Sequence, residues 1–206
     1  MKLLVGLGNV GEQYAETRHN VGFMAVRKLG RRISGRWAYR SSLYVSKSWK
    51  SKEAILLLPQ TMMNRSGEAF VAAVTRWRVA PRDVLIVCDD VNLPVGTLRL
   101  RPQGSDGGHH GLASCLEGLG TQKIPRLRIG IGAQPLPKDL TRFVLLPFHP
   151  EERSVLHRTL ERVVEACELW ATQGIEIAMN RVNVRRHDPA TWLPWRPSGR
   201  QRGRPP

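Results

Sequence analysis

The chain is poor in cysteine, in acidic side chains and in long apolar runs. Cys88, Cys115 and Cys167 are its three thiols. Scattered this way they cannot build a disulfide framework, and their spacing fits no zinc site. A reducing cytoplasm is the expected setting. No apolar run reaches the ~20 residues of a membrane span, so no membrane partner is expected. The sequence opens on a strand pattern, with no signal or transit peptide expected. Acids are scarce against bases: 17 Asp and Glu stand against 32 Lys and Arg, a formal charge of +15. Such an excess attracts polyanions, nucleic acid first among them. Arg181, Arg185, Arg186, Arg196, Arg200, Arg202 and Arg204 crowd the end, yet most of the remaining Lys and Arg lie in the body.

With 206 residues and 41% hydrophobic content, the chain suits one domain with a real core. Apolar periodicity predicts strands at Lys2 to Leu7, Leu43 to Trp49, Glu53 to Leu58, Val84 to Cys88, Thr97 to Arg101 and Leu127 to Ile131. Helices are expected at Val21 to Ile33 with Asn20 as N-cap, Ser66 to Arg78, Gly108 to Leu119, Glu151 to Gln173 and Ile175 to Asn183. The second and third strands read as a hairpin around Lys50-Ser51-Lys52. Strands alternating with helices give an α/β class with a mixed, mostly parallel sheet. In such sheets ligands gather at the carboxyl ends of the strands. From about Asp188 the chain turns Pro-, Arg- and Gly-rich with no hydrophobic period, which reads as a disordered basic tail.

Several constellations carry chemistry. Gly6-Leu7-Gly8-Asn9-Val10-Gly11 spells the dinucleotide fingerprint, but no helix opens at the last glycine, and no acid ends the next strand. A turn that presents Asn9 to a substrate fits better than a nicotinamide site. His19, just ahead of a helix, can move protons near neutral pH. Alone it reads as a surface histidine; Asp89-Asp90, two acids ending an apolar strand, change that. One carboxylate bonded to an imidazole nitrogen fixes its tautomer and lets the other nitrogen act as a base toward water. Asn64 near a helix start is either a cap or a grip on an ester or peptide group. The Gly-dense Gly104 to Gly111 loop opens a helix, as anion sites do, or is a lid. His109 and His110 lack a third ligand nearby and make a weak metal signal. Arg99 and Arg101 share one strand face and Arg126 and Arg128 another; in so basic a protein these pairs read as phosphate contacts.

Together these segments resemble bacterial-type peptidyl-tRNA hydrolase. The matching stretches are Val5 to Gly11, Tyr14, Thr17 to Phe23, Thr61 to Gly67, Asp89 to Pro94, Gly107 to Leu112 and Arg126 to Gly132. They occur in family order and cover roughly Met1 to Asn183. The resemblance implies a monomeric, single-domain, three-layer α/β/α fold over residues 1–187, with residues 188–206 outside it. It implies cleavage of the ester joining a peptide to the 3′ end of tRNA, without metal or cofactor. By position, His19 is the base and Asp89 its orienting partner. Asn9, Asn64 and His110 would bind the peptide and ester end, and Tyr14 and Met63 would line the cleft. Arg101 and Arg128 would hold acceptor-stem phosphate. At His110 the family usually carries Asn; Val10, Leu58 and Asn92 replace a common Pro, Lys and Asp. Two other readings stand beside this one: an RNA-binding protein on the same fold that has lost hydrolysis, and a nicotinamide-dependent oxidoreductase.

Overall fold

The computed structural model describes residues 1–183 of the chain; the basic tail expected from Asp188 lies outside them. Seven strands run β1 (Lys2–Gly6), β2 (Ala38–Ser41), β3 (Tyr44–Trp49), β4 (Ala54–Pro59), β5 (Val84–Pro94), β6 (Leu98–Arg101) and β7 (Arg126–Gly132). Six helices are α1 (Val21–Arg32), α2 (Ser66–Trp77), α3 (His110–Leu119), α4 (Leu140–Val144), α5 (Arg153–Gln173) and α6 (Ile175–Val182). The sheet order is β2-β3-β4-β1-β5-β7-β6. The central four, β4, β1, β5 and β7, pair in parallel. Antiparallel β2, β3 and β6 finish the two edges. The expected hairpin is β3–β4, turned by a 3-10 segment over Lys50–Lys52.

Strand alternation sorts the core into two layers. Leu3, Val5, Leu7, Val84, Ile86 and Cys88 face α2 and α3, where Phe70, Ala73, Leu112 and Cys115 meet them. Leu4, Leu85, Val87, Leu127 and Ile129 face α1 and α5, against Phe23, Val26, Val163 and Trp170. Every one of these side chains is buried, so the sheet is apolar on both faces, as parallel sheets with helical crossovers require. The result is the three-layer α/β/α arrangement read from the sequence.

The glycines of the first turn serve this packing. A Cβ on Gly8 would sit 2.5 Å from the Phe23 ring, and one on Gly22 would sit 2.4 Å from the Val87 carbonyl oxygen. The start of α1 therefore lies against the carboxyl ends of β1 and β5 at a distance that tolerates no side chain, and the Phe23 ring occupies the space against Gly8. The fingerprint spelling reflects helix–strand contact, and the nicotinamide reading falls with it.

Differences from expectation have local causes. Asn20 stands at the N-cap position of α1 as expected, but its side chain makes no cap bond: its Oδ1 accepts from the Asn9 N–H at 2.8 Å and its Nδ2 donates to the Asn9 carbonyl at 2.9 Å. β5 continues past Asp89-Asp90 to Pro94, with an irregularity in its pairing to β7 after Asp90. Short β2 and α4 carry too little period to be read from sequence.

Candidate active site

Five segments converge at the carboxyl ends of β1 and β5. The turn after β1 brings Asn9, a 3-10 turn over Arg18–Asn20 brings His19, and β5 brings Asp89. The turn before α2 brings Met63 and Asn64, and the Gly-rich loop before α3 brings His109.

The Arg18–Asn20 turn is fastened from behind. Arg18 is buried, donates through both terminal nitrogens to the Glu152 carboxylate and through one of them to the Ile131 carbonyl. Its guanidinium lies 4.6 Å from the Phe143 ring centroid and 4.9 Å from that of Phe148. The Arg18 N–H also donates to the Leu146 carbonyl. A charge this deeply placed is tolerable only when paired; Nε has no hydrogen-bond partner among the described residues, so the loss of a further partner would be costly. The turn carrying His19 is thus tied to residues 143–152.

His19 Nδ1 lies 2.8 Å from Asp89 Oδ1. Burial disfavours charge on Asp89, but the two imidazoles at bonding distance outweigh it and hold the carboxyl well below the usual carboxylate range. An ionised carboxylate only accepts, so the proton sits on His19 Nδ1, and Nε2 of the neutral ring carries the lone pair. Nε2 has no partner among the described residues, and the side chain keeps 10% of its surface.

The second imidazole is His109, which the sequence reading passed over for its neighbour. It is buried, its Nε2 is 2.9 Å from the same Asp89 Oδ1, and its ring centroid is 4.8 Å from that of His19. His110 is exposed and its side chain makes no hydrogen bond among the described residues. A Gly-rich loop running into a helix is where an N-cap is expected, and His109 fills that place: its Nδ1 accepts from the Leu112 N–H at 3.1 Å. That cap was the missed signal. It also takes one of the N–H groups that the loop had offered to an anion.

His19, Asp89 and His109 place three donor atoms within 4.8 Å of one another. The 2.8 and 2.9 Å contacts are hydrogen bonds, shorter than the ~3.3 Å between ligands sharing a tetrahedral ion with bonds near 2.0 Å. The cluster reads as a proton-holding device.

The remaining candidates divide. Asn9 is buried, and its Oδ1 accepts from the Met63 N–H at 2.8 Å. That bond fixes the amide orientation and leaves Nδ2 as an unused donor. Met63 packs so closely on α3 that a Cβ on Gly111 would meet its sulfur at 2.4 Å. Asn64 is exposed and Tyr14 half-buried. Asn64 neither caps α2 nor bonds elsewhere among the described residues. Asn9 also lines a cavity of about 340 Å³ with Ala15, Phe23, Met24 and Arg27, and neither His19 nor Asp89 does.

The arginines are not equivalent. Arg99 and Arg101 are exposed on β6. Arg126, expected on a phosphate-facing surface, is buried: it donates to the carbonyls of Gly104, Ser105, Gln122 and Ile124. The loop it staples covers it. Arg128 is partly exposed and already engaged, with Asp90 Oδ2 at 3.3 Å and the Ser105 carbonyl at 2.9 Å. Trp49 and Trp170 are core residues.

Comparison with known proteins agrees with this fold. The family model described as peptidyl-tRNA hydrolase matches residues 3–190. Peptidyl-tRNA hydrolase of Gloeobacter violaceus is 45% identical over 188 residues, covering 90% of this chain and 95% of the relative. That of Desulfitobacterium hafniense is 42% identical over 184 residues, covering 89% and 100%. The crystal structure of peptidyl-tRNA hydrolase from Acinetobacter baumannii superposes with a TM-score of 0.83 at 32% identity, covering 89% of this chain and 95% of that one. A strongly basic α/β/α scaffold, matched along nearly its whole length by the family model and by relatives above 40% identity, places the chain in the peptidyl-tRNA hydrolase family.

Proposed function

We propose that this protein hydrolyses the ester between the peptide and the 3′-terminal ribose of peptidyl-tRNA, with His19 as general base. The observation that carries the proposal is the 2.8 Å contact of His19 Nδ1 with the buried Asp89 carboxylate, which leaves Nε2 unpaired. His19 Nε2 takes a proton from water, and the water oxygen attacks the ester carbonyl carbon. The tetrahedral oxyanion collapses, the ribose oxygen leaves with the proton from His19 as free tRNA, and the peptide carboxylic acid releases its remaining proton to solvent. General-base catalysis of this kind supplies about 10²–10⁴-fold. Asn9 Nδ2, its orientation set by the Met63 N–H, donates to the developing oxyanion. Asn64 and His110 hold the peptide end, with Tyr14 and Met63 along the cleft.

Arg101 and the exposed β6 surface take acceptor-stem phosphate without reading sequence. Arg128 joins them only by exchanging its contact with Asp90. The enzyme acts as a cytoplasmic monomer on this reading, in keeping with its three buried free thiols.

A non-catalytic RNA-binding role explains the +15 charge but not the site. Burying an ionised Asp89 against two imidazoles is costly, and RNA affinity does not require it. The test is incubation of purified protein with peptidyl-tRNA, N-blocked aminoacyl-tRNA and free aminoacyl-tRNA. Release from the first two but not the third supports the hydrolase. Binding of all three with no release supports the RNA-binding role.

A further inference from the structure

We infer that His109 is a positioning residue, which holds the Asp89 carboxylate in place for His19 through a tautomer set by the first turn of α3. The inference rests on the reading of His19 as the base.

The chain of bonds runs in one direction. The Leu112 N–H donates to His109 Nδ1 at 3.1 Å, so the neutral ring carries its proton on Nε2. Nε2–H then donates to Asp89 Oδ1 at 2.9 Å. The same oxygen accepts from His19 Nδ1. A free backbone N–H at a helix start thus sets the first donor of a relay that ends on the base. Asp89 Oδ2 has no partner among the described residues, so the two imidazoles are what orient this carboxyl. With His109 removed, one donor remains, and the group can rotate about its terminal torsion, where the energy surface is broad. The hydrogen bond from His109 is among the influences that favour the ionised form of Asp89.

The loop that delivers His109 is built at a cost that packing alone does not require. Arg126, 1% exposed, spends its guanidinium on four main-chain carbonyls, two of them from Gly104 and Ser105. Arg128 adds a second bond to Ser105. The His109 N–H closes the loop onto the Asp106 carbonyl. Both guanidinium groups thereby fix the approach of His109 to Asp89.

Two substitutions separate this role from a merely structural one. His109→Asn keeps an N-cap acceptor for Leu112 but is too short to reach Asp89. His109→Gln reaches Asp89 with an amide N–H but gives up the cap. The expected result is a kcat at least about tenfold lower for His109→Asn with KM on peptidyl-tRNA little changed, the loss that misplacement by a fraction of an ångström produces. His109→Gln recovers most of it. Wild-type kcat in His109→Asn, or a Gln variant worse than the Asn variant, overturns the inference. Nitrogen-15 NMR of the wild-type protein tests it without any variant. The expected spectrum shows His109 protonated on Nε2 and bare on Nδ1, and the opposite tautomer refutes the relay. His19→Ala run alongside keeps the two claims apart. If that variant still turns over, the base assignment has failed. If it is inactive while His109→Asn is normal, only the role of His109 has failed.

Discussion

Asp89→Asn is the substitution whose effect the geometry fixes most closely. The side chain keeps its shape, so the core and the neighbouring turn are undisturbed, and an amide oxygen can still accept from His19 Nδ1. What disappears is the negative charge facing the imidazolium that forms, on the proposed mechanism, when His19 takes the water proton. Oδ1 is 2.8 Å from Nδ1, and the centres of the two delocalised charges are roughly 4 Å apart. At an effective dielectric constant near 20, that separation is worth about 4 kcal/mol. Each 1.36 kcal/mol of barrier is a factor of ten, so the chemical step slows about 10³-fold. The amide can also turn its NH2 toward the imidazoles and force His19 into the wrong tautomer, a change worth about 10⁴-fold in the serine-protease triad. The assay is single turnover of peptidyl-tRNA under saturating enzyme, with tRNA affinity measured separately. A rate within tenfold of wild type would mean that the carboxylate does not orient or stabilise the base.

Other outcomes follow from the same geometry. Arg101→Ala should weaken tRNA binding and lower the log–log salt slope by about 0.7–0.9, one phosphate contact. Arg128→Ala should change it less, because Asp90 already compensates that charge; equal slopes would show that the Arg128–Asp90 contact does not persist in solution. The thiols of Cys88, Cys115 and Cys167 are pushed up by burial, so a disulfide reagent at pH 8 should titrate none in the folded protein and all three after unfolding. Rapid labelling of a native thiol contradicts the packing. Phe70→Ala removes a wholly buried ring between α2 and the sheet and should cost about 3–5 kcal/mol in denaturant unfolding. A loss under 1 kcal/mol would show that the layer is not close-packed there. The depressed carboxyl of Asp89 should keep its carboxylate infrared band down to pH 4; a protonated carbonyl band at that pH refutes its pairing.

Much of this was legible in the chain because period and chemistry agreed. Leu3, Leu4 and Val5 alternate between two apolar faces, and both faces are covered, so β1 reads correctly from composition alone. His19 and Asp89 stood out because a histidine before a helix and acids ending an apolar strand are each poor core residues. Contacts made by backbone geometry were not legible. Asn20 has the composition of a helix cap, but the Asn9 main chain offered it two bonds instead. Arg126 has the alternation of an exposed strand residue, yet the loop folding back from Gly104 buries it. His109 and His110 look interchangeable in sequence. One residue of register at the start of α3 sends the first inward to Asp89 and leaves the second exposed.

His19→Ala, assayed in a single turnover on peptidyl-tRNA beside a tRNA-binding isotherm, measures the base assignment most directly. The account gives a rate at the uncatalysed background with affinity within about threefold of wild type, since the proposed phosphate contacts are on the exposed arginines of β6 and not on the imidazole. Persistent cleavage by the variant would contradict it.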